Sequence, residues 1–285
     1  MRFRLVIFGV VIVSVCSCFL KQEAPGTGPT QPTKSVPIQG VVTLEELQGA
    51  QAMAAVMAKF YPKEVSRERD GLLSRLEIKG RGPSCIVDHQ RLGKEEEEKG
   101  QLLSAGLVQF GPALQTNLVS IPENAEHQYV RKLDTGVGSG LYQVKGEGSG
   151  DVLAFNEILS MPESLVDVKI AGSSEEDDVF IFKKGQSFKI AWKSPSIENA
   201  GSISLLDVFA DSATEKVQVH CIALESDLGV PGGRYWDVPV SIMNQLPVTK
   251  DGQLFLARAH VRQKKGATTV DFQGIRSYFQ NIGIE

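Results

Sequence analysis

The side chains able to do chemistry in this sequence are scattered. His89, His127, His220 and His260 show no two-histidine helical spacing around a glutamate and no clustering, and Asp88-His89 offers only two adjacent donors. A zinc centre needs three or four ligands at defined spacing, so these histidines read as single polar residues, and no metal or cofactor is expected. The glycine runs 136–140 and 146–150 precede strand-like sequence and lack a following Lys-Ser or Lys-Thr, which excludes a phosphate cradle. Neither is a Gly-x-Ser-x-Gly elbow, because Val137 and Glu147 stand two residues before Ser139 and Ser149. The acidic runs 95–98 and 175–178 lack the alternating pattern of a calcium loop and read as solvated loops, since like charges repel and prefer water. No nucleophile, base and orienting group can be assembled from motifs, so the expectation is a protein that is not an enzyme.

Two constellations suggest binding instead. Tyr235 and Trp236 follow the turn Pro231-Gly232-Gly233, where a loop would display an aromatic pair to a sugar or a protein. Arg258, His260 and Arg262 alternate with Ala257, Ala259 and Val261, so the pattern predicts a basic stripe on the outward face of one strand, suited to an anionic partner.

The first eighteen residues set where this chemistry works. Arg2 and Arg4 precede an apolar run, Leu5 to Val15, that is eleven residues long. A spanning helix needs ~20 such residues, and the run has the length of a signal-peptide core. It closes on Val15-Cys16-Ser17-Cys18, which resembles the bacterial lipobox: an aliphatic residue at −3, a small one at −1, then the lipidated cysteine. Cys16 is the competing acceptor and would place Val15 at −1, so Cys18 is chosen. The resemblance implies cleavage after Ser17, a diacylglyceryl thioether on Cys18 and a further acyl chain, such as palmitate, on its amine. More than one chain makes anchoring stable, at about 0.8 kcal/mol per buried methylene. An ordinary secretory signal with both cysteines as bystanders is the alternative. In such lipoproteins an Asp after the cysteine favours inner-membrane retention, and Phe19 instead implies the outer membrane, facing the periplasm or the cell surface.

Removing Arg2 and Arg4 leaves 28 basic residues against 34 acidic ones, a formal charge of −6. That balance favours neither nucleic acid nor an anionic membrane surface. Pro25, Pro29, Pro32 and Pro37 among glycines and threonines make 18–41 the lipidated cysteine and a disordered tether, reaching roughly 25 Å from the bilayer. A helix is expected over 42–62. Thr43 and Glu46 form a capping box, Leu44, Leu47, Ala54, Val56, Met57 and Phe60 recur near helical spacing, and Pro62 ends the run.

From Leu72 the period changes to two. Leu76 and Ile78, Val166 to Ile170, Phe188 to Trp192, Val217 to Cys221, Phe255 to Val261, and Val270 with Phe272 each alternate with polar residues. Many short half-buried strands between glycine-rich and proline-rich turns make the fold mainly β, as antiparallel sandwiches. Pro239 starts a short helical turn that places Ile242, Met243 and Leu246 on one face. The order of a Trp192-centred strand, a Cys221-bearing strand, that short helix and the strand Leu254 to Val261 is similar to uncharacterised β-rich lipoproteins of Gram-negative bacteria. In that family these elements make an immunoglobulin-like sandwich without catalytic residues.

The organisation expected is therefore a signal peptide, 1–17; the tether, 18–41; the helix, 42–62; an N-terminal β-rich part, 70–148; and a C-terminal immunoglobulin-like β-sandwich, 149–285. The run 146–150 marks either a boundary or a loop within one composite domain. Cys85 and Cys221 form one disulfide or remain two buried thiols. The functional expectation is a lipid-anchored cell-envelope protein with a non-enzymatic binding or structural role, membrane-held through Cys18 and partnered by an envelope protein. The alternative is a glycan-binding or glycan-processing module.

Overall fold

The computed structural model describes residues 38–48, 53–62, 83–91, 102–134, 136–150, 152–176, 179–193, 202–229, 233–266 and 268–285. The chain is mainly β, in one large mixed sheet and two smaller antiparallel ones. The path of the large sheet runs β3 (Ser84–Arg91), β14 (Glu215–Leu224), β13 (Ile203–Asp211), β16 (Thr249–Lys264), β17 (Thr268–Ile284), β1 (Ile38–Gln48), β2 (Met53–Pro62) and β6 (Tyr129–Leu133). The short pair β10 (Ser173–Glu176) and β11 (Val179–Phe182) joins it at the end of β17. Strand β17 organises the sheet. One edge pairs with β16 along nearly its whole length, and the other takes β1 in parallel from Thr268 to Tyr278 and β11 in parallel from Ile282 to Ile284.

The helix expected over 42–62 is two strands. Ile38, Val42 and Leu44 are buried in alternation along β1, as are Ala54, Val56, Ala58 and Phe60 along β2. The two strands are antiparallel neighbours, with Val42 opposite Ala58. Eleven consecutive register positions against β17 outweigh a local helical pattern, because tertiary burial overrides propensity. Thr43 sits opposite Met57, and the Glu46 carboxylate pairs with the Arg276 guanidinium at 3.0 Å; neither residue caps a helix. The tether expected to run to Val41 likewise gives way at Ile38, where β1 begins. The strand expected at Leu76 and Ile78, the acidic run 95–98 and the anchor at Cys18 lie outside the described residues. Glu175 and Glu176 belong to β10, not to a loop.

Two cores lie on the same face of the large sheet. A four-stranded sheet, ordered β5 (Val119–Ile121), β4 (Val108–Pro112), β7 (Gly140–Gly146) and β8 (Phe155–Met161), covers β1, β2 and the first half of β17. Its core centres on Phe155, whose ring lies 5.7 Å from that of Phe60 and 5.9 Å from that of Phe272. A three-stranded sheet, ordered β15 (Arg234–Val238), β12 (Phe188–Lys193) and β9 (Val166–Ala171), covers β13, β14 and β16 over Trp192, Trp236, Ile190, Leu206, Val219 and Leu256. Each fully buried large apolar side chain contributes about 1.5–3 kcal/mol relative to exposure. Residues 36–285 form one compact unit, and β3, from the segment 70–148, pairs with β14 in the C-terminal half. Among the described residues no helix is long and apolar enough to cross a membrane.

Candidate functional site

The segment from β14 to the short helix α1 (Val240–Met243) builds a cleft in the surface. After β14 the chain makes a single 3-10 turn, Glu225–Leu228, and reverses at Gly229, whose φ of 119° suits glycine. A side chain there would also meet the Gly233 carbonyl at 2.9 Å. Strand β15 follows, and Pro239 caps α1 with extended backbone. Between β15, the 3-10 turn, α1 and the start of β3 opens a cleft of about 610 Å³. Leu228, Trp236, Ile242 and Pro83 supply apolar surface, and the carboxylates of Asp227 and Asp237 and the hydroxyl of Ser241 supply polar groups.

A buried polar cluster ties the 3-10 turn and β15 to the large sheet. The Arg258 Nε donates to the Glu225 carboxylate at 2.8 Å, with the two side chains only 2% and 1% exposed. Arg234, fully buried, donates to the Glu225 backbone carbonyl. The Trp236 indole N–H donates to the Ser204 hydroxyl at 3.1 Å. Burial pushes the Glu225 carboxyl above its usual range, with Arg258 opposing, and burial together with Arg258 lowers the Arg234 guanidinium. The wall opposite β15 is tied down covalently: Cys85 on β3 and Cys221 on β14 stand in direct register and are joined by a disulfide.

Tyr235 and Trp236 are neighbours in strand β15, not a displayed loop pair, and they point to opposite faces. Trp236 is packed into the core, while Tyr235 is 42% exposed with the Lys189 ammonium 3.9 Å from its ring centre. Both line the cleft.

The outward basic stripe expected at Arg258, His260 and Arg262 does not form. These three share a face with Leu254 and Leu256, the face that carries both cores, and the residues between them face the other way onto Ile203, Leu205 and Ile222. Both faces of β16 are therefore covered near its middle, and alternation alone cannot tell which holds the charges. Arg258 is enclosed. His260 accepts or donates at 3.1 Å with the Ser160 hydroxyl, and burial first, then Arg258, lowers its imidazole to about 4 against the opposing pull of Glu163. His260 is half-buried, and Arg262 is the exposed member of the three, 3.6 Å from Glu157.

With Arg276 these groups make a polar seam between the two cores. Arg276 stands opposite Arg258 in the register and donates to the Ser164 hydroxyl and the Val137 carbonyl, both at 2.6 Å, beside the Glu46 carboxylate. The other histidines pair locally with carboxylates: His220 with Asp207 at 2.7 Å, His127 with Glu123 at 2.7 Å and His89 with Glu215 at 3.5 Å. Among the described residues no three His, Cys, Asp or Glu side chains converge as a metal centre would require.

Sequence reasoning missed Glu225, Arg234, Arg276, Asp227 and Asp237. Each is an ordinary charge in sequence; the one available signal was Arg234-Tyr-Trp-Asp-Val238, whose alternation as a strand places Arg234 and Trp236 inward together. The chain matches no known protein-family model, and no curated protein matches it significantly.

Proposed function

We propose that this chain is a lipid-anchored protein of the cell envelope, held through Cys18, whose folded part is a non-enzymatic binding module for another envelope protein. The observation that carries the binding role is the cleft. It is large enough for part of a partner, its walls are apolar and aromatic with a few polar groups, and elements that form it carry a disulfide and a buried ion pair. A preformed site of this kind spares the ordering cost of association. The lipobox-like Val15-Cys16-Ser17-Cys18 supports the anchor, and Phe19 supports an outer-membrane address. The three-stranded sheet facing β13, β14 and β16 across Trp192 supports an immunoglobulin-like reading of 149–285. In-cell crosslinking of the lipidated protein, followed by mass spectrometry, tests the proposal. One dominant envelope partner, lost in Cys18→Ala, is expected; no reproducible protein partner would refute it.

Tyr235 favours one second reading, a glycan-binding module. Its half-exposed ring, with the Lys189 ammonium over one face, lines the cleft with Asp227 and Asp237, a combination of aromatic surface and hydrogen-bond acceptors that a sugar uses. Quenching of tryptophan fluorescence by peptidoglycan fragments, abolished by Tyr235→Ala, would support it, and unchanged fluorescence across common envelope glycans would remove it.

A further inference from the structure

We infer that the rim of the cleft holds a pyranose ring of a neutral hexose glycan, stacked on Tyr235 with two adjacent hydroxyls shared between Asp237 and Lys189; this rests on the glycan reading above. The three residues stand together because of the register. Strand β15 is antiparallel to β12, with Tyr235 opposite Ala191 and Asp237 opposite Lys189. Arg234, Trp236 and Val238 turn inward, so Tyr235 and Asp237 share the outward face with Lys189 and Ala191. The Lys189 side chain leans from the Asp237 row to that of Tyr235, where its ammonium lies 3.9 Å from the ring centre. Lysine reaches the ring from the β12 side, whereas the cleft lies on the other side of β15, toward the 3-10 turn and α1. One face of the ring is therefore taken by the cation, and the other is turned to the cleft that Tyr235 lines.

A sugar ring fits this arrangement. The C–H face of a pyranose packs on an aromatic face, and the cation over the far face of Tyr235 steadies the ring plane. Residues 235 and 237 are two apart along one strand, about 7 Å at ~3.3 Å per residue, so a sugar stacked on Tyr235 brings its edge to Asp237. A carboxylate only accepts hydrogen bonds and an ammonium only donates them, while each hydroxyl does both. Two adjacent hydroxyls therefore satisfy Asp237 and Lys189 at once, the first donating to the carboxylate and the second accepting from the ammonium. Because the two charges oppose each other, the pair sets the direction of the hydrogen bonds without calling for a charged ligand. Asp227 and Ser241, also in the cleft lining, are in place for the hydroxyls of a neighbouring ring.

The test uses the full-length lipidated chain in a detergent without a sugar headgroup, with affinities read by ligand-observed NMR. Cellohexaose, maltohexaose and 1,4-linked mannohexaose carry adjacent free hydroxyls on every ring; laminarihexaose, the 1,3-linked isomer of cellohexaose, keeps them only on its terminal rings. At least one of the first three should bind with a Kd of about 1 mM or tighter, and laminarihexaose should bind about threefold or more weaker than that one. Tyr235→Ala should abolish binding, and Asp237→Ala and Lys189→Met should each weaken it about tenfold, as expected for a hydrogen bond to a charged group. Lys169→Met, on the far strand β9 opposite Ala191, should leave it unchanged. All four positions are exposed, and melting temperatures matching the parent's show that the variants are folded. No binding of the three hexose oligomers, equal affinity for laminarihexaose, or affinity unmoved by Asp237→Ala and Lys189→Met would overturn the inference. Binding of peptidoglycan fragments through Tyr235 without binding of these oligomers would leave the glycan reading standing and remove this placement.

Discussion

Removing one side of the buried ion pair at the start of the 3-10 turn should expose how the fold is held. In Arg258→Met the Glu225 carboxylate, 1% exposed, loses the guanidinium that donates to it at 2.8 Å. Breaking a buried pair from one side costs about 3–5 kcal/mol, because an uncompensated charge stays out of water. Arg234 remains nearby on the Glu225 carbonyl, so the lower end, about 3 kcal/mol at pH 7, is expected. The pH dependence has a definite sign. Burial already raises the Glu225 carboxyl above its unfolded value, and Arg258 is the first of the groups that pull it back. Without Arg258 it rises further, so the folded variant takes up a proton before the unfolded chain does, and the penalty shrinks as pH falls through the folded value. The loss at pH 5 should be smaller than at pH 7. Adding Glu225→Gln should bring stability back to within about 1 kcal/mol of the parent, since removing both charges leaves no uncompensated one. Urea unfolding followed by fluorescence of the buried Trp192 and Trp236 reads all three quantities. A loss below about 1 kcal/mol at pH 7, or an equal loss at both pH values, would refute the assignment of the pair as a buried charge cluster.

Three other perturbations test separate parts of the fold. His260 titrates near 4 when folded and near ~6.5 when unfolded, so its charging opposes folding and stability is lost as pH falls from about 6.5 to about 4. Allowing for its partial exposure, about 2 kcal/mol is at stake, and His260→Gln should flatten that part of the stability profile; a profile parallel to the parent's would count against it. Converting both Cys85 and Cys221 to alanine opens a loop of sequence separation 136, for which chain entropy gives about 5 kcal/mol; urea midpoints displaced by less than about 1 kcal/mol would show that the bond does not restrain the unfolded chain. Gly274→Ala would drive a methyl group into the Ser160 carbonyl where β8 crosses β17 and should cost about 1–3 kcal/mol, whereas Gly150→Ala, with open space around it, should leave the melting temperature unchanged.

The strands legible in the sequence are those with one wet face. Phe188, Ile190 and Trp192 alternate with residues on the outer surface of a three-stranded sheet, and Val217, Val219 and Cys221 do the same in β14, so period two is written locally. Strand β16 defeats the same rule because Ala257 and Ala259 are buried on one face and Leu254, Leu256 and Arg258 on the other. Strand β1 defeats it differently. Its burial depends on β17, more than two hundred residues away, and nothing within Ile38–Gln48 records that parallel partner. The aromatic types at Tyr235 and Trp236 pointed to the right place. Their opposite orientations, and the arrival of Asp227, Leu228 and Pro83 at the same cleft, depend on a 3-10 turn and on a sheet edge contributed by distant sequence.

The seam and the cleft are joined through a single turn of chain, and this gives the charge cluster a functional consequence. Glu225 begins the 3-10 turn and is held from below by Arg258 and Arg234; Asp227 and Leu228, two and three residues on, form part of the cleft wall. Loosening Glu225 therefore releases the wall before it releases the sheet, because β13, β14 and β16 keep their own ladders and apolar core. In Arg258→Met the crosslinked envelope partner should be captured more weakly under conditions where the protein is still folded, and Arg258→Met with Glu225→Gln should recover much of that loss. A distant destabilisation of equal size, Gly274→Ala, should leave capture of that partner unchanged. If both variants weakened binding equally, the cleft would owe its shape to global stability alone, and the link through Glu225 would fail.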